Sequence, residues 1–365
     1  MQATHSLSRA MKCLALAALA AHTAAHVQML SPMPRNAIDR DLPQWAGGRF
    51  GNGTCERAKT KHTCWGGDCH HGTQPCDVGQ NFLWFSQGCS IGCTECDGLN
   101  GNPNYRDRCG SGMKPTNNDP RFRGLDRGVP AMSAQDKYQW NPWRAPGSAP
   151  VFDPCGAAGG GPNRVETAAP YVDTPFARQG DLGTKVLPKH PTGVVWRSGG
   201  RAEVKLSVRA NHAGGYQYRL CPAGQPLTEA CFQRMPLDFT QRSWLEFRNS
   251  SRLELRGTYL STGTTPAYST WAMIPLPFGT RPSLGSFAPP CQGIDTDCPA
   301  NSTWANSTHT VPHPLCEGVF PFGVNVVDEL EVPRVSPGEY VLGLRYDAEN
   351  TAQVWQQCAD IVISH

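Results

Sequence analysis

Eight cysteines (Cys55, Cys64, Cys69, Cys76, Cys89, Cys93, Cys96 and Cys109) crowd into residues 51–110. That stretch has no helical or strand periodicity apart from the apolar run Phe82-Leu83-Trp84-Phe85. Disulfides rather than a core must hold it. A zinc site is the competing reading for Cys64, Cys69, His70, His71, Cys89, Cys93 and Cys96. Structural zinc sites use paired C-x2-C units, and only Cys93 and Cys96 have that spacing. Disulfides are therefore favoured, and with them an oxidising compartment.

The start of the chain agrees. Residues 1–25 have the form of a secretory signal: Arg9 and Lys12, an apolar run from Cys13 to Ala21, then the small residues Thr23 and Ala25. The run is too short to span a bilayer. The mature chain, 26–365, is expected to be one soluble, secreted, extracellular domain and a monomer. Cys13 leaves with the signal, and the odd number of cysteines remaining leaves at least one free or paired with another chain. Sequons start at Asn52, Asn249, Asn301 and Asn306. Only 17% of residues are charged and the net charge is +3. No cluster of Lys and Arg calls for nucleic acid or an anionic membrane.

Residues 111–190 are rich in Gly, Pro, Asn and Arg and read as long loops. Residues 193–363 read as strands. Ala202-Glu-Val-Lys-Leu-Ser-Val alternates polar and apolar. Gly338-Glu-Tyr-Val-Leu-Gly-Leu-Arg-Tyr does so after a Pro-Gly turn, and Ala359-Asp-Ile-Val-Ile is a third case. The class is all-β, and the architecture an antiparallel β-sandwich with long disulfide-rich loops.

Cleavage after Ala25 makes His26 the first residue. A terminal histidine offers its free amine and its ring Nδ1 to one metal ion. A second histidine completes a nitrogen set that suits copper. His212 lies between a strand and the Gly214-Gly215 turn, where a side chain can reach the end of a sandwich, although a loop histidine alone is commonly a surface residue. Late in the chain, Gln353 and Trp355 are two apart and share a strand face. They can flank a metal, or be an ordinary strand with a core tryptophan. Tyr216 and Tyr218 can stack on sugar rings near the metal, or alternate into the core as strand aromatics.

Together these segments resemble the lytic polysaccharide monooxygenases of the chitin-binding type-4 branch. The resemblance rests on His26, on Asn211-His212-Ala-Gly-Gly-Tyr216 and on Gln353-Val-Trp355-Gln-Gln-Cys358-Ala-Asp360. It covers about residues 26–36 and 193–363, and the run from Trp84 to Cys96 looks like an insertion of protist and algal-type members. It implies an immunoglobulin/fibronectin-like sandwich and one copper ion in a brace formed by His26 and His212. It implies Gln353 beside the bound oxygen species and Trp355 at the axial position. The partners implied are insoluble chitin or cellulose, an external electron donor, and O2 or H2O2. The family usually has Tyr or Phe where Trp355 stands, so here only an apolar axial filler remains. Cys358 is expected to pair with a cysteine of the 51–110 zone.

Two other readings stand beside the enzyme. One is a secreted carbohydrate-binding protein of the same fold without turnover, and the other a disulfide-rich adhesion or copper-handling protein. Gly88-Cys-Ser90-Ile-Gly92 fits G-x-S-x-G but lacks the strand–turn–helix of a nucleophile elbow. His309 and His313 are at i,i+4, but Pro312 argues against a helix presenting both.

Overall fold

The computed structural model describes residues 26–39, 42, 80–87, 146–147, 149, 151–161, 171–210, 214–246, 252–275, 325–348 and 353–365. For residues 26, 87, 209 and 210 the description covers the backbone only. The signal segment, most of the Cys-rich zone, the four sequons, Ser90, His212, His309 and His313 lie outside these residues.

The described residues form two packed sheets. The strands are β1 (His26–Ser31), β2 (Trp84–Gln87), β3 (Ala157–Ala158), β4 (Pro191–Arg197), β5 (Arg201–Ala210), β6 (Gly215–Pro222) and β7 (Asp238–Glu246). They continue as β8 (Arg252–Leu255), β9 (Tyr259–Leu260), β10 (Trp271–Met273), β11 (Asn325–Glu331), β12 (Gly338–Asp347) and β13 (Gln353–Ser364). One sheet runs β1-β5-β11-β7-β8. The other runs β3-β2-β13-β12-β6-β10-β9, with β4 added against β13. Every pairing is antiparallel except β4 with β13. This is the all-β sandwich expected, and strands from outside 193–363 complete both sheets.

Period-2 alternation decides what each strand buries. In β5, Ala202, Val204, Leu206 and Val208 enter the core, and in β12 Tyr340, Leu342, Leu344 and Tyr346 do so. In β13 the inward set includes Trp355, Ala359, Ile361 and Ile363. Burying a side chain of this size contributes roughly 1.5–3 kcal/mol, so the shared core is the main term holding the sheets face to face.

Among the described residues, two disulfides fasten the outside of the eight-stranded sheet. Cys221 pairs with Cys231, and Cys358 pairs with Cys155. The partner of Cys358 thus comes from the loop region 111–190, not from the 51–110 zone as expected. The physical reason is β13's alternation. Cys358 faces away from the core, with Val341 and Phe232, and the segment that covers that face carries Cys155. Among the described residues no helix is long and apolar enough to cross a membrane.

Candidate functional site

Strand register brings the candidate segments to one end of the sandwich. His26 opens β1, the edge strand of the five-stranded sheet, and its backbone is paired with Ala210, the last residue of β5. The chain re-enters the description at Gly214 and begins β6 at Gly215 in the other sheet. Gly215 is paired with Asp347 at the end of β12, and Asp347 with Val354 near the start of β13. The start of β1, the end of β5 and the starts of β6 and β13 therefore share one end. Residues directly opposite in such a ladder have Cα atoms about 4.5–5.5 Å apart, and His212 is two residues beyond Ala210.

An edge strand has one row of backbone groups without a strand partner. In β1 that row is engaged by side chains from other elements. The carboxamide of Gln357 accepts from the Met29 N–H at 2.5 Å and donates to the Val27 carbonyl at 3.3 Å and the Asn81 carbonyl at 2.7 Å. Asn81 Nδ2 donates to the Met29 carbonyl at 2.9 Å, and Asn36 Nδ2 to the Asn81 carbonyl at 3.1 Å. All three side chains are buried, where unmade hydrogen bonds are costly. Just beyond β1, Arg35 makes a bidentate pair with Asp360 at 2.8 and 2.6 Å. Asp360 also accepts from the His190 N–H at 2.8 Å. The strand that starts at His26 is thus fixed to β13 at two places.

Gln353 and Trp355 are both fully buried. Trp355 stacks on Phe85 with ring centroids 4.7 Å apart and 16° between planes, and its ring lies 5.9 Å from that of Tyr346. Its Nε1–H donates to the Phe82 carbonyl at 3.3 Å. Phe85, Trp355, Tyr346 and Tyr216 stand directly opposite one another across β2, β13, β12 and β6. They form one aromatic row beneath the shared end. Aromatic pairs add about 0.5–1.5 kcal/mol each beyond area burial.

Tyr216 and Tyr218 do not present a ring to a sugar. Both face the core, at 1% and 0% exposure. Tyr216 donates to Asp328 at 2.8 Å, and its ring is edge-on to Tyr218 and Phe239. Burial, then the neighbouring Asp328, pushes both phenols up. The opposing sheet covers the face on which they stand, so their reading as substrate contacts is corrected to core packing. Asp328 is itself pushed up to about 6 by burial, which outweighs the hydrogen bonds from Ser243 and Tyr216.

Gln357, Asn81 and the Arg35–Asp360 pair were not among the sequence candidates for the site. Gln357 continues the Gln353, Trp355 series at the same spacing, and that signal was available. Its acceptors at Val27 and Asn81 are far away in sequence, and nothing local announces them.

No family model and no curated protein matches the chain. Among solved structures, it is similar to a lytic polysaccharide monooxygenase AA15 from Thermobia domestica, at 14% identity and TM-score 0.23, over 47% of this chain and 62% of that one. It is similar to an AA10 lytic polysaccharide monooxygenase from Streptomyces lividans, at 10% identity and TM-score 0.22, over 48% and 60%. A chitin binding domain from Burkholderia pseudomallei is 13% identical at TM-score 0.30, over 93% of this chain and 100% of that one. The chain thus spans about three fifths of the length of the two monooxygenases. Likeness at these values assigns no activity.

Proposed function

We propose that the processed chain is a secreted copper-dependent polysaccharide monooxygenase that cleaves glycosidic bonds oxidatively in chitin, cellulose or a related insoluble polysaccharide. The observation that carries this reading is the shared end. The backbone of His26 is opposite Ala210, two residues before His212, and the rung from Gly215 to Val354 brings the start of β13 alongside. Short cross-strand spacing there is compatible with two histidines serving one ion. The amine and ring of His26 and the ring of His212 would hold copper, a fit of nitrogen donors to metal. When bound, copper would supply the one-electron chemistry that lets a reductant and O2 or H2O2 attack a C–H bond beside the glycosidic linkage.

The chain's own residues have separate tasks in this reading. Gln357 and Asn81 hold β1 so that the first residue has a fixed position. Such supporting partners tune metal sites strongly. Trp355 brings bulk and no oxygen, and its one polar atom donates to the Phe82 carbonyl. Gln353 contributes a carboxamide for orienting the oxygen co-substrate.

The test has three parts. N-terminal sequencing of the secreted protein should return His26 first, since an in-chain His26 has no free amine to donate. Copper titration of His212→Ala should show the loss of most affinity, with all turnover gone. Product mass spectrometry on a panel of polysaccharides with a reductant should return oxidised oligosaccharides. Equal copper affinity in His212→Ala and the parent sinks the site and leaves a non-catalytic carbohydrate-binding protein as the better reading.

A further inference from the structure

Tyr268 is 87% exposed, the highest value of any large apolar side chain among the described residues. Its backbone sits at φ 65°, a left-handed conformation that a bulky residue keeps only when its surroundings impose it. The surroundings here do so. Thr264 and Ser269, on either side, are each 6% exposed. Thr264 Oγ1 donates to the Ser261 and Pro266 carbonyls at 3.2 and 3.3 Å, and the Ser269 N–H donates to the Pro266 carbonyl at 3.0 Å. The Thr265 N–H donates to the Pro146 carbonyl at 2.8 Å. Gly147 lies so close that an added Cβ would stand 2.1 Å from the Thr265 carbonyl oxygen. Gln217 Nε2 donates to the Thr270 carbonyl at 3.0 Å. A fastened loop therefore carries a strained residue whose ring has no packing role.

The chemistry around the ring narrows what it meets. Residues 257–280 contain no Asp, Glu, Lys or Arg, the loop is built from Ser, Thr, Gly, Pro and Ala, and the carboxylate that touches it, Asp238, accepts from Thr270 Oγ1 at 2.9 Å. Ser261, Thr262, Gly263 and Ala267 are exposed beside it. A protein partner calls for a wider apolar patch, and a nucleic acid for basic groups. A flat ring amid neutral hydroxyls suits a neutral polyhydroxylated chain, whose C–H faces cover the ring while its hydroxyls meet those of the loop. β10 follows this loop and reaches Met273, which is paired with Gly215 at the shared end. From Tyr268 to Met273 the backbone spans no more than about 18 Å.

We propose that Tyr268 is a stacking contact for a neutral glycan chain, on the β10 flank of the sandwich. This rests on the reading of the chain as a protein that acts on polysaccharide. It is tested by binding of the processed full chain to microcrystalline chitin and cellulose, with copper chelated and no reductant, so that turnover plays no part. Tyr268→Gly should bind about tenfold more weakly. Its thermal midpoint should hold or rise, because glycine accepts positive φ without strain. Tyr268→Trp should bind like the parent. Loss of binding with stability kept separates a contact from a structural role. If the parent binds a polymer and Tyr268→Gly binds it equally well, the assignment of Tyr268 is overturned and the proposed function stands. If the parent binds neither these two polymers nor any other insoluble polysaccharide of the panel, both are overturned.

Discussion

Asp328 is a buried carboxyl group and Glu229 a half-buried one, on opposite sides of the eight-stranded sheet, and their surroundings drive them in opposite directions. Asp328 points between the sheets, where it accepts from the hydroxyls of Ser243 at 2.5 Å and Tyr216 at 2.8 Å. Among the described residues no cation pairs with it, and burial pushes it up to about 6. Glu229 lies against the outer face. Burial raises it too, but Arg219 and Arg345 outweigh burial and hold it at about 2. Arg345 reaches Glu229 at 2.7 Å and Asp347 at 2.7 Å, and it also donates to the Ala149 carbonyl at 2.9 Å. The interior layer is thus held by hydroxyl-to-carboxyl hydrogen bonds and aromatic packing, and the outer layer by paired charge. Asp347 belongs to the rung that joins Gly215 to Val354, so the outer network braces the end that holds the candidate site.

The harshest test of this contrast is Arg345→Met. It keeps much of the volume but leaves Asp347 buried without its guanidinium. Breaking a buried pair in this way costs about 3–5 kcal/mol. Urea denaturation should show that loss. A loss under about 1 kcal/mol would mean that the outer face is wetter than its burial states.

The pH dependence should divide the two carboxyls. Asp328 has its folded value raised from 3.8 to about 6. Its contribution is present in full below the unfolded value and is lost as pH rises through about 6, a change of roughly 3 kcal/mol. Glu229 is lowered from 4.5 to about 2. Its contribution is present above 4.5 and is lost as pH falls toward 2. Asp328→Asn should therefore flatten the fall in stability between about pH 4 and 6 and leave the acid limb unchanged. Part of the fall will persist, because burial also pushes Asp39 up to about 6. Glu229→Gln should alter the acid limb instead. Melts across pH 3–8 decide it, and identical pH curves for parent and Asp328→Asn would refute the assignment.

Gln357→Leu is a milder change at the boundary of the interior layer. It frees the Met29 N–H and the Val27 and Asn81 carbonyls, at about 1–3 kcal/mol. Hydrogen exchange at Met29 should accelerate more than at core amides of β12. In the processed protein, copper affinity should fall although no donor is touched. Unchanged exchange at Met29 would remove the clamp from the account of the site.

Sequence and structure diverge in an instructive pattern. Alternation in β5, β12 and β13 was legible because each strand has one face on the core. β1 is not announced as a strand by the sequence. Its alternation is short, and what makes it a strand is β5 on one edge and Gln357 with Asn81 on the other. That Tyr216 and Tyr218 share a face follows from period 2, but which sheet face meets the core does not. The pairing of Cys358 with Cys155 depended on which loop covers β13, and spacing carries no such information. The Asp328–Tyr216 contact joins residues 112 apart, beyond the reach of any local pattern.

Trp355→Tyr is the smallest change, and it asks how far the interior layer extends toward the proposed metal site. The substitution keeps a ring against Phe85 and gives up the hydrogen bond to the Phe82 carbonyl. Exchange of one buried aromatic ring for a smaller one should cost about 1 kcal/mol in the metal-free protein. It also brings an oxygen to the layer in which Tyr346 and Tyr216 already stand. The proposed nitrogen donors are untouched, so copper affinity should stay within about threefold of the parent. If residue 355 faces the ion, the new hydroxyl should shift the copper spectrum and the reduction potential, since supporting groups tune such sites. A spectrum identical to the parent's would make Trp355 a core residue and nothing more. A collapse of copper binding would instead show that the packing of Trp355 itself holds the first residues of β1 in place.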